Sequence, residues 1–132
     1  MSDLRRLAEP SAEWSDWWDA TRERRFLLQR CLDCGNRQHY PRALCIKCGS
    51  DRLDWQEASG AGVVYSYTIV HRAPSPVPAA PYVVALVRLA EGPTVLTNVI
   101  GCEPGDVRCD LPVELTWEAA EDGRNLPLFK PA

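Results

Sequence analysis

Cys31-Leu32-Asp33-Cys34-Gly35 and Cys45-Ile46-Lys47-Cys48-Gly49 decide the fold of this 132-residue chain. Two C-x-x-C-G knuckles, separated by ten residues, bring four soft ligands within reach of one tetrahedral ion. Zn2+ suits that donor set, with Zn–S bonds of about 2.3 Å. Iron fits the same S4 geometry and is the less favoured reading. Each glycine follows a ligand pair, where the backbone must turn sharply. With four cysteines as ligands, Cys31, Cys34, Cys45 and Cys48 leave no open coordination position, so the site is structural rather than hydrolytic.

Outward from the knuckles, the composition is that of an ordinary globular chain, 45% hydrophobic and 25% charged. No apolar run reaches the roughly 20 residues that span a bilayer, so no membrane partner is expected. The start, Met1-Ser2-Asp3-Leu4-Arg5-Arg6, lacks the apolar stretch of an export signal. A cytoplasmic location follows as an expectation, and paired cysteines there read as metal ligands rather than disulfides. Cys102 and Cys109 lie far from the knuckles and read as small buried hydrophobes.

Before the knuckles, Ser11 is a candidate N-cap, and Trp14, Trp17, Trp18 and Thr21 recur on one face of a helix. So many tryptophans on one short helix suit either a partner surface or self-packing, with equal weight. Residues 26–30 read as a short strand entering the first knuckle. The stretch 22–47 holds seven cations against two anions, in a chain of net charge −3. Arg22, Arg25 and Arg30 are therefore candidates for contacting an anionic ligand or a partner. The competing reading is a solvated, salt-bridged face that offsets the negative charge of four thiolates.

After the knuckles the texture becomes β. Strands are predicted over 63–70, 82–89, 94–100 and 112–118, with a last extended piece over 126–129. Pro74, Pro76, Pro78 and Pro81 exclude a strand or helix between the first two. Gly60-Ala61-Gly62 is too short for a nucleotide fingerprint and reads as a turn. Short strands at this spacing predict a small five-stranded barrel; periodicity does not separate OB from SH3-like closure. The expected fold is mainly β: an N-terminal helical segment over 1–27, a metal ribbon over 28–57 and a barrel over 58–132. No Ser-His-Asp order, nucleophile elbow or phosphate loop is present, and His39 and His71 have no partner legible in sequence.

These parts, in this order, resemble the acyl-CoA-associated family with a rubredoxin-like zinc ribbon and a C-terminal OB-fold. The resemblance rests on Trp17-Trp18, on Leu28-Gln29-Arg30 before the first knuckle, and on Tyr40-Pro41-Arg42. It continues through Gly60-Ala61-Gly62-Val63-Val64-Tyr65, His71-Arg72-Ala73-Pro74, Pro81-Tyr82-Val83-Val84 and Leu126-Pro127-Leu128-Phe129. It implies a non-catalytic accessory subunit. Such a subunit binds a thiolase-like enzyme, of the SCP2-thiolase/aldolase or acyltransferase type, in acyl-CoA metabolism such as steroid or lipid side-chain degradation. Acyl-CoA itself is a further implied contact, with Arg22, Arg25 and Arg30 as the candidates to meet the CoA phosphates or the partner. Relatives tend to carry Gly before the strand at Pro112, where this chain has Cys109-Asp110; Asp tolerates left-handed backbone, so the turn is expected to survive. The alternative reading is a nucleic-acid-binding ribbon/OB module. The acidic balance of the barrel half opposes it, because a phosphate-binding face is basic.

Overall fold

The structure, a computed structural model, describes residues 4–132; Met1, Ser2 and Asp3 lie outside the described residues. A 3-10 turn over Ala12–Trp14 leads into α1, Ser15–Arg22. Ser11 precedes the turn with extended backbone but makes no side-chain cap. The helical face read from sequence is the buried one: Trp17, Ala20 and Thr21 are buried, and Trp14 and Trp18 half-buried.

The ribbon sheet follows, built of β1 (Leu27–Cys31), β2 (Arg37–Gln38) and β3 (Leu53–Glu57), with β1 in the middle and both pairings antiparallel. The predicted strand over 26–30 is thus displaced by one residue. β1 buries Leu27, Leu28, Gln29 and Cys31 and leaves only Arg30 exposed.

Five strands close the barrel: β4 (Ala61–Val70), β5 (Tyr82–Leu89), β6 (Thr94–Val99), β7 (Pro112–Ala119) and β8 (Asn125–Pro131). Their order is β4-β5-β6-β8-β7, with β7 returning to β4. The contact of β6 with β8 is parallel and all others are antiparallel. This is the five-stranded Greek-key closure of an OB barrel. The ambiguity with SH3-like closure is resolved by the β6–β8 and β4–β7 pairings, which join strands distant in sequence.

Alternation drives the closure. Val83, Ala85, Val87 and Leu89 on β5 point inward, and Tyr82, Val84, Leu86 and Arg88 outward. Gly62 lies so close to β5 that a Cβ would stand 2.8 Å from the Arg88 carbonyl oxygen and 2.8 Å from Val87. The proline-rich stretch between β4 and β5 contains no strand, as expected. Between β6 and β7 a single 3-10 turn, Pro104–Asp106, precedes buried Val107. Asp110 adopts φ +66°, so aspartate does take the left-handed position expected of it.

Helix, ribbon and barrel share one hydrophobic cluster. Trp17 and Ala20 of α1, Phe26 and Leu28 of the ribbon, and Val64, Val87 and Phe129 of the barrel all belong to it. The Asn125 side-chain amide donates to the Thr21 carbonyl oxygen (2.9 Å), and the Asn125 backbone N–H donates to the Thr21 hydroxyl (3.3 Å), pinning α1 to β8.

Candidate metal centre and junction cavity

The two knuckles are copies of one local structure. In the first, Gly35 N–H donates to the Cys31 carbonyl (2.9 Å) and Cys31 N–H to the Asn36 carbonyl (2.8 Å). In the second, Gly49 N–H donates to Cys45 (2.9 Å) and Cys45 N–H to Ser50 (2.8 Å). Gly35 and Gly49 take φ +77° and +78°, the left-handed conformation that closes each turn without a Cβ clash.

The pairing of β1 with β2 and β3 then faces the knuckles toward each other. All four sulfurs lie within 4.8 Å of one another, and Cys31–Cys48 and Cys34–Cys45 are both 3.6 Å apart. A regular tetrahedron with metal–sulfur bonds of about 2.3 Å has edges of roughly 3.8 Å. The donor set therefore fits a thiolate-bound metal ion.

Amide donors surround the sulfurs: Cys34 N–H to Cys31 Sγ (3.5 Å), Lys47 N–H to Cys45 Sγ (3.4 Å) and Asn36 Nδ2 to Cys45 Sγ (3.7 Å). The backbone amides of Cys48 and Lys47 pull the Cys45 thiol down to about 6. The amide of Cys34 lowers Cys31 in the same way. For Cys48 the Ser50 amide pulls downward, but the adjacent sulfurs and burial outweigh it and push the thiol up to about 12. Four sulfurs this close do not all become anions unless a cation lies among them. Ligation and deprotonation are one event here.

Two side-chain networks hold the knuckles. Asp33 accepts from Ser50 (2.5 Å) and from Arg52, which bridges the outer surface. Ser50 and Arg52 hold the Asp33 carboxyl below its ordinary range. Inside, Gln29 and Gln38 act as a pair of buried latches. Gln29 donates to the Arg42 carbonyl (2.8 Å) and accepts from Arg42 N–H and from Gln38 (both 2.8 Å). Gln38 also donates to the Leu44 carbonyl (3.2 Å) and accepts from Ile46 N–H (3.0 Å).

The inter-knuckle loop therefore hangs from two amides that β1 and β2 present. Gln38→Leu orphans Ile46 N–H and the Leu44 carbonyl and takes one of two donors from Gln29 Oε1, and is expected to cost about 3 kcal/mol. It should also weaken metal binding by roughly tenfold or more, as loss of a ligand's supporting shell does. Competition with a chromophoric chelator measures the second effect; unchanged affinity and stability would refute the latch.

The tryptophan stripe divides between two roles. Trp17 is 3% exposed, and its Nε1–H donates to the Leu27 carbonyl (2.9 Å), so in this structure its side chain is core rather than surface. Trp14 and Trp18 stand over a cavity of about 320 Å3, whose other walls include His39, Tyr40, Val84, Leu96 and Pro127. The Arg124 guanidinium stacks on Trp18 from the far side, 4.9 Å from the ring centroid.

His39 sits among the rings of Trp14, Trp17, Phe26 and Tyr40, with centroids 4.3–5.7 Å away. Burial there pushes its pKa down to about 4. An unfolded histidine takes its proton near 6.5, so between 6.5 and 4 the unfolded chain binds more protons than the folded one. Stability is therefore full above pH 6.5 and declines as pH falls toward 4, by about 2 kcal/mol between pH 7 and 5. His39→Phe should remove that part of the slope, measured as the difference between the two pH profiles of urea unfolding. Parallel profiles would refute a neutral buried imidazole.

The basic candidates separate as well. Arg22 donates to the Asp122 carbonyl (2.7 Å), and Arg25 pairs with Glu57 (3.5 Å) and Glu23 (3.7 Å). Arg30 is exposed on β1, opposite Arg37 and Asp54 in register. The three arginines thus have different neighbours: the β7–β8 turn for Arg22, two carboxylates for Arg25 and the strands flanking β1 for Arg30.

A family model described as the ChsH2 rubredoxin-like zinc ribbon domain matches residues 18–54. One described as the ChsH2 C-terminal OB-fold domain matches residues 55–118. A "DUF35 domain-containing scaffold protein" of Methanocaldococcus jannaschii is 36% identical over 111 residues, covering 80% of this chain and 78% of that one. This chain belongs to the ChsH2 (DUF35) family.

A "probable enoyl-CoA hydratase alpha subunit" of Thermomonospora curvata is 43% identical over 116 residues, 88% of this chain but 36% of that protein. The chain thus spans about a third of the length of that relative. Among solved structures, one described as "Ltp2-ChsH2(DUF35) aldolase" superposes with TM-score 0.88 at 39% identity, over 95% of this chain and 98% of that one.

For a ChsH2-family chain, the four ligands were legible in spacing alone. The Gln29/Gln38 latch and the aromatic cage of His39 were not. Glutamine carries no sequence signal of burial, and the rings around His39 come from segments separated in the chain. Cys109 is exposed and Cys102 only partly covered, against the expectation of burial. The loop after β6 buries Val107 instead of either thiol. No helix among the described residues is long and apolar enough to cross a membrane.

Proposed function

We propose that this chain is a non-catalytic scaffold subunit, with Zn2+ in the four-cysteine site, that binds a thiolase-like enzyme acting on acyl-CoA substrates. Steroid or lipid side-chain degradation is the pathway class included in this proposal, in line with a Mycobacterium tuberculosis relative, 30% identical over 107 residues, described as a "3-oxo-4,17-pregnadiene-20-carboxyl-CoA hydratase alpha subunit". The carrying observation is the match, at TM-score 0.88 and 39% identity, to nearly the full length of a small chain in an aldolase complex.

The metal's part is to close the ribbon. Cys31, Cys34, Cys45 and Cys48 would hold it, and the chemistry it supplies is cross-linking of the two knuckles. The barrel and α1 supply rigid surface. The half-buried imidazole of His39, packed among aromatic rings that push its pKa down to about 4, is neutral near pH 7 and poorly matched to general acid–base work there.

Co-expression with a thiolase-like aldolase subunit, followed by size-exclusion chromatography and a retro-aldol assay, tests the proposal. Co-elution and activity that depends on this chain are expected, with one zinc per chain in a colourless preparation. Separate elution with undiminished activity of the large subunit would overturn the scaffold role. A visible charge-transfer band would overturn zinc in favour of iron.

A further inference from the structure

We propose that the cavity between α1, the ribbon and the barrel is the socket by which this chain grips its enzyme partner, receiving one aromatic or branched aliphatic side chain from it. This rests on the scaffold reading and names the surface that would perform it.

Each part of the chain contributes a wall: Trp14 and Trp18 from the N-terminal segment, Tyr40 from the inter-knuckle loop, and Val84 and Leu96 from the barrel. At about 320 Å3 the cavity lies at the small end of ligand sites, which begin near 300 Å3. It suits a single large side chain better than a cofactor.

Most of its polar groups are already committed, the exceptions being Arg5 Nε and His39 Nδ1, which have no hydrogen-bond partner. Trp17 Nε1–H is given to Leu27, the Thr97 hydroxyl to the Pro127 carbonyl (2.9 Å), and the Asn98 amide to the Val83 carbonyl (2.7 Å). The Tyr40 hydroxyl accepts from Leu96 N–H at 3.3 Å. Among the described residues the one cation on the wall, Arg5, pairs with Glu118 at 3.3 Å. A phosphate-bearing ligand therefore finds a single cation whose charge is already paired with a carboxylate, whereas an apolar guest needs none.

The mouth opens onto more apolar surface. Leu96 is 57% exposed and Tyr40 38%, and Val84 and Leu96 also floor a shallow groove that reaches Leu86 and Tyr67 across β5 and β4. A filled pocket with an apolar surround is the anatomy of an interface hot spot, where Trp and Tyr are enriched. An enzyme subunit, rather than a lipid, is the occupant favoured by the 39%-identical solved relative, a chain described in complex with an aldolase. The rival apolar surface, Leu32, Leu44 and Ile46 on the ribbon tip, borders neither the junction cavity nor the groove beside it.

The test titrates the aldolase subunit of the solved Ltp2-ChsH2(DUF35) complex with this chain, using that complex's own small chain as positive control. Leu96→Arg should weaken binding by roughly thirtyfold or more, the loss typical of a hot-spot residue. Its exposure predicts an unchanged melting temperature. Ile46→Arg, on the rival surface, should bind as the wild type. A photo-crosslinking residue at position 96 should capture a partner peptide that carries an aromatic or branched aliphatic residue.

Failure of the wild-type chain to bind, with the control binding, would overturn the scaffold reading and the socket together. Wild-type binding with Leu96→Arg unaffected, or lost instead in Ile46→Arg, would overturn the socket alone. So would a crosslink only to a charged, anchor-free segment. The crosslink keeps the test decisive even if the arginine variant unfolds.

Discussion

Replacing Cys45 with serine is expected to abolish stable metal binding and to melt the ribbon. Cys45 is 3% exposed, and its sulfur receives the Lys47 amide and the Asn36 side chain, so serine forfeits a ligand and leaves those donors facing a shorter, harder atom. Metal binding in such sites is worth about 10–16 kcal/mol in isolated finger peptides, comparable to the entire stability of a typical domain. The ribbon has little to set against that loss. β2 is two residues long, and the inter-knuckle loop hangs from Gln29 and Gln38.

The barrel is closed by its own pairings and should persist. The expected signature is a bound-metal content near zero, strand-type far-ultraviolet dichroism retained, and near-ultraviolet tryptophan dichroism lost, because His39 and Tyr40 leave the Trp14/Trp17 cluster. A strong chelator applied to the wild type under reducing conditions should reproduce it. Wild-type metal content and melting in Cys45→Ser would show that three thiolates suffice, and would refute the closed four-ligand site.

Trp17→Ala should be the most damaging change outside the metal centre, costing about 4 kcal/mol. Its ring contacts Trp14, Trp18, Phe26 and His39, and truncation also removes the donor that satisfies the Leu27 carbonyl at the entry to β1. A loss of that size lowers the melting temperature by well over 10 °C in a chain of this length. Trp18→Ala is expected to cost less, since that ring is half-buried at the cavity mouth.

This sharpens the choice that the tryptophan stripe leaves open in sequence. A fall in partner affinity with Trp17→Ala would be inseparable from loss of fold, whereas Trp18 and Leu96 test the surface itself. Thermal unfolding followed by far-ultraviolet dichroism measures the effect. A melting temperature within 2 °C of wild type would show that Trp17 is not a core residue.

What the sequence by itself determined is whatever short-range chemistry encodes. Ligand spacing specified the metal centre, and left-handed turns placed Gly35 and Gly49. The 3.6-residue period put Trp14, Trp17 and Trp18 on one face, and alternation with turn residues marked the five barrel strands to within two residues at most ends. The left-handed backbone of Asp110 was expected only through the resemblance, since relatives tend to carry glycine there.

Long-range pairing was decided only in three dimensions. The β6–β8 and β4–β7 contacts that make the barrel OB-like join segments with no mutual signal in the chain. The division of the tryptophans into one buried and two half-buried residues around the cavity depends on where the inter-knuckle loop and β6 come to rest. The basic run dispersed for the same reason, since Asp122 and Glu57 reach Arg22 and Arg25 only after folding. Local backbone preference and ligand number travel with the sequence; burial and partnership are properties of packing, and packing exists only once distant strands have closed.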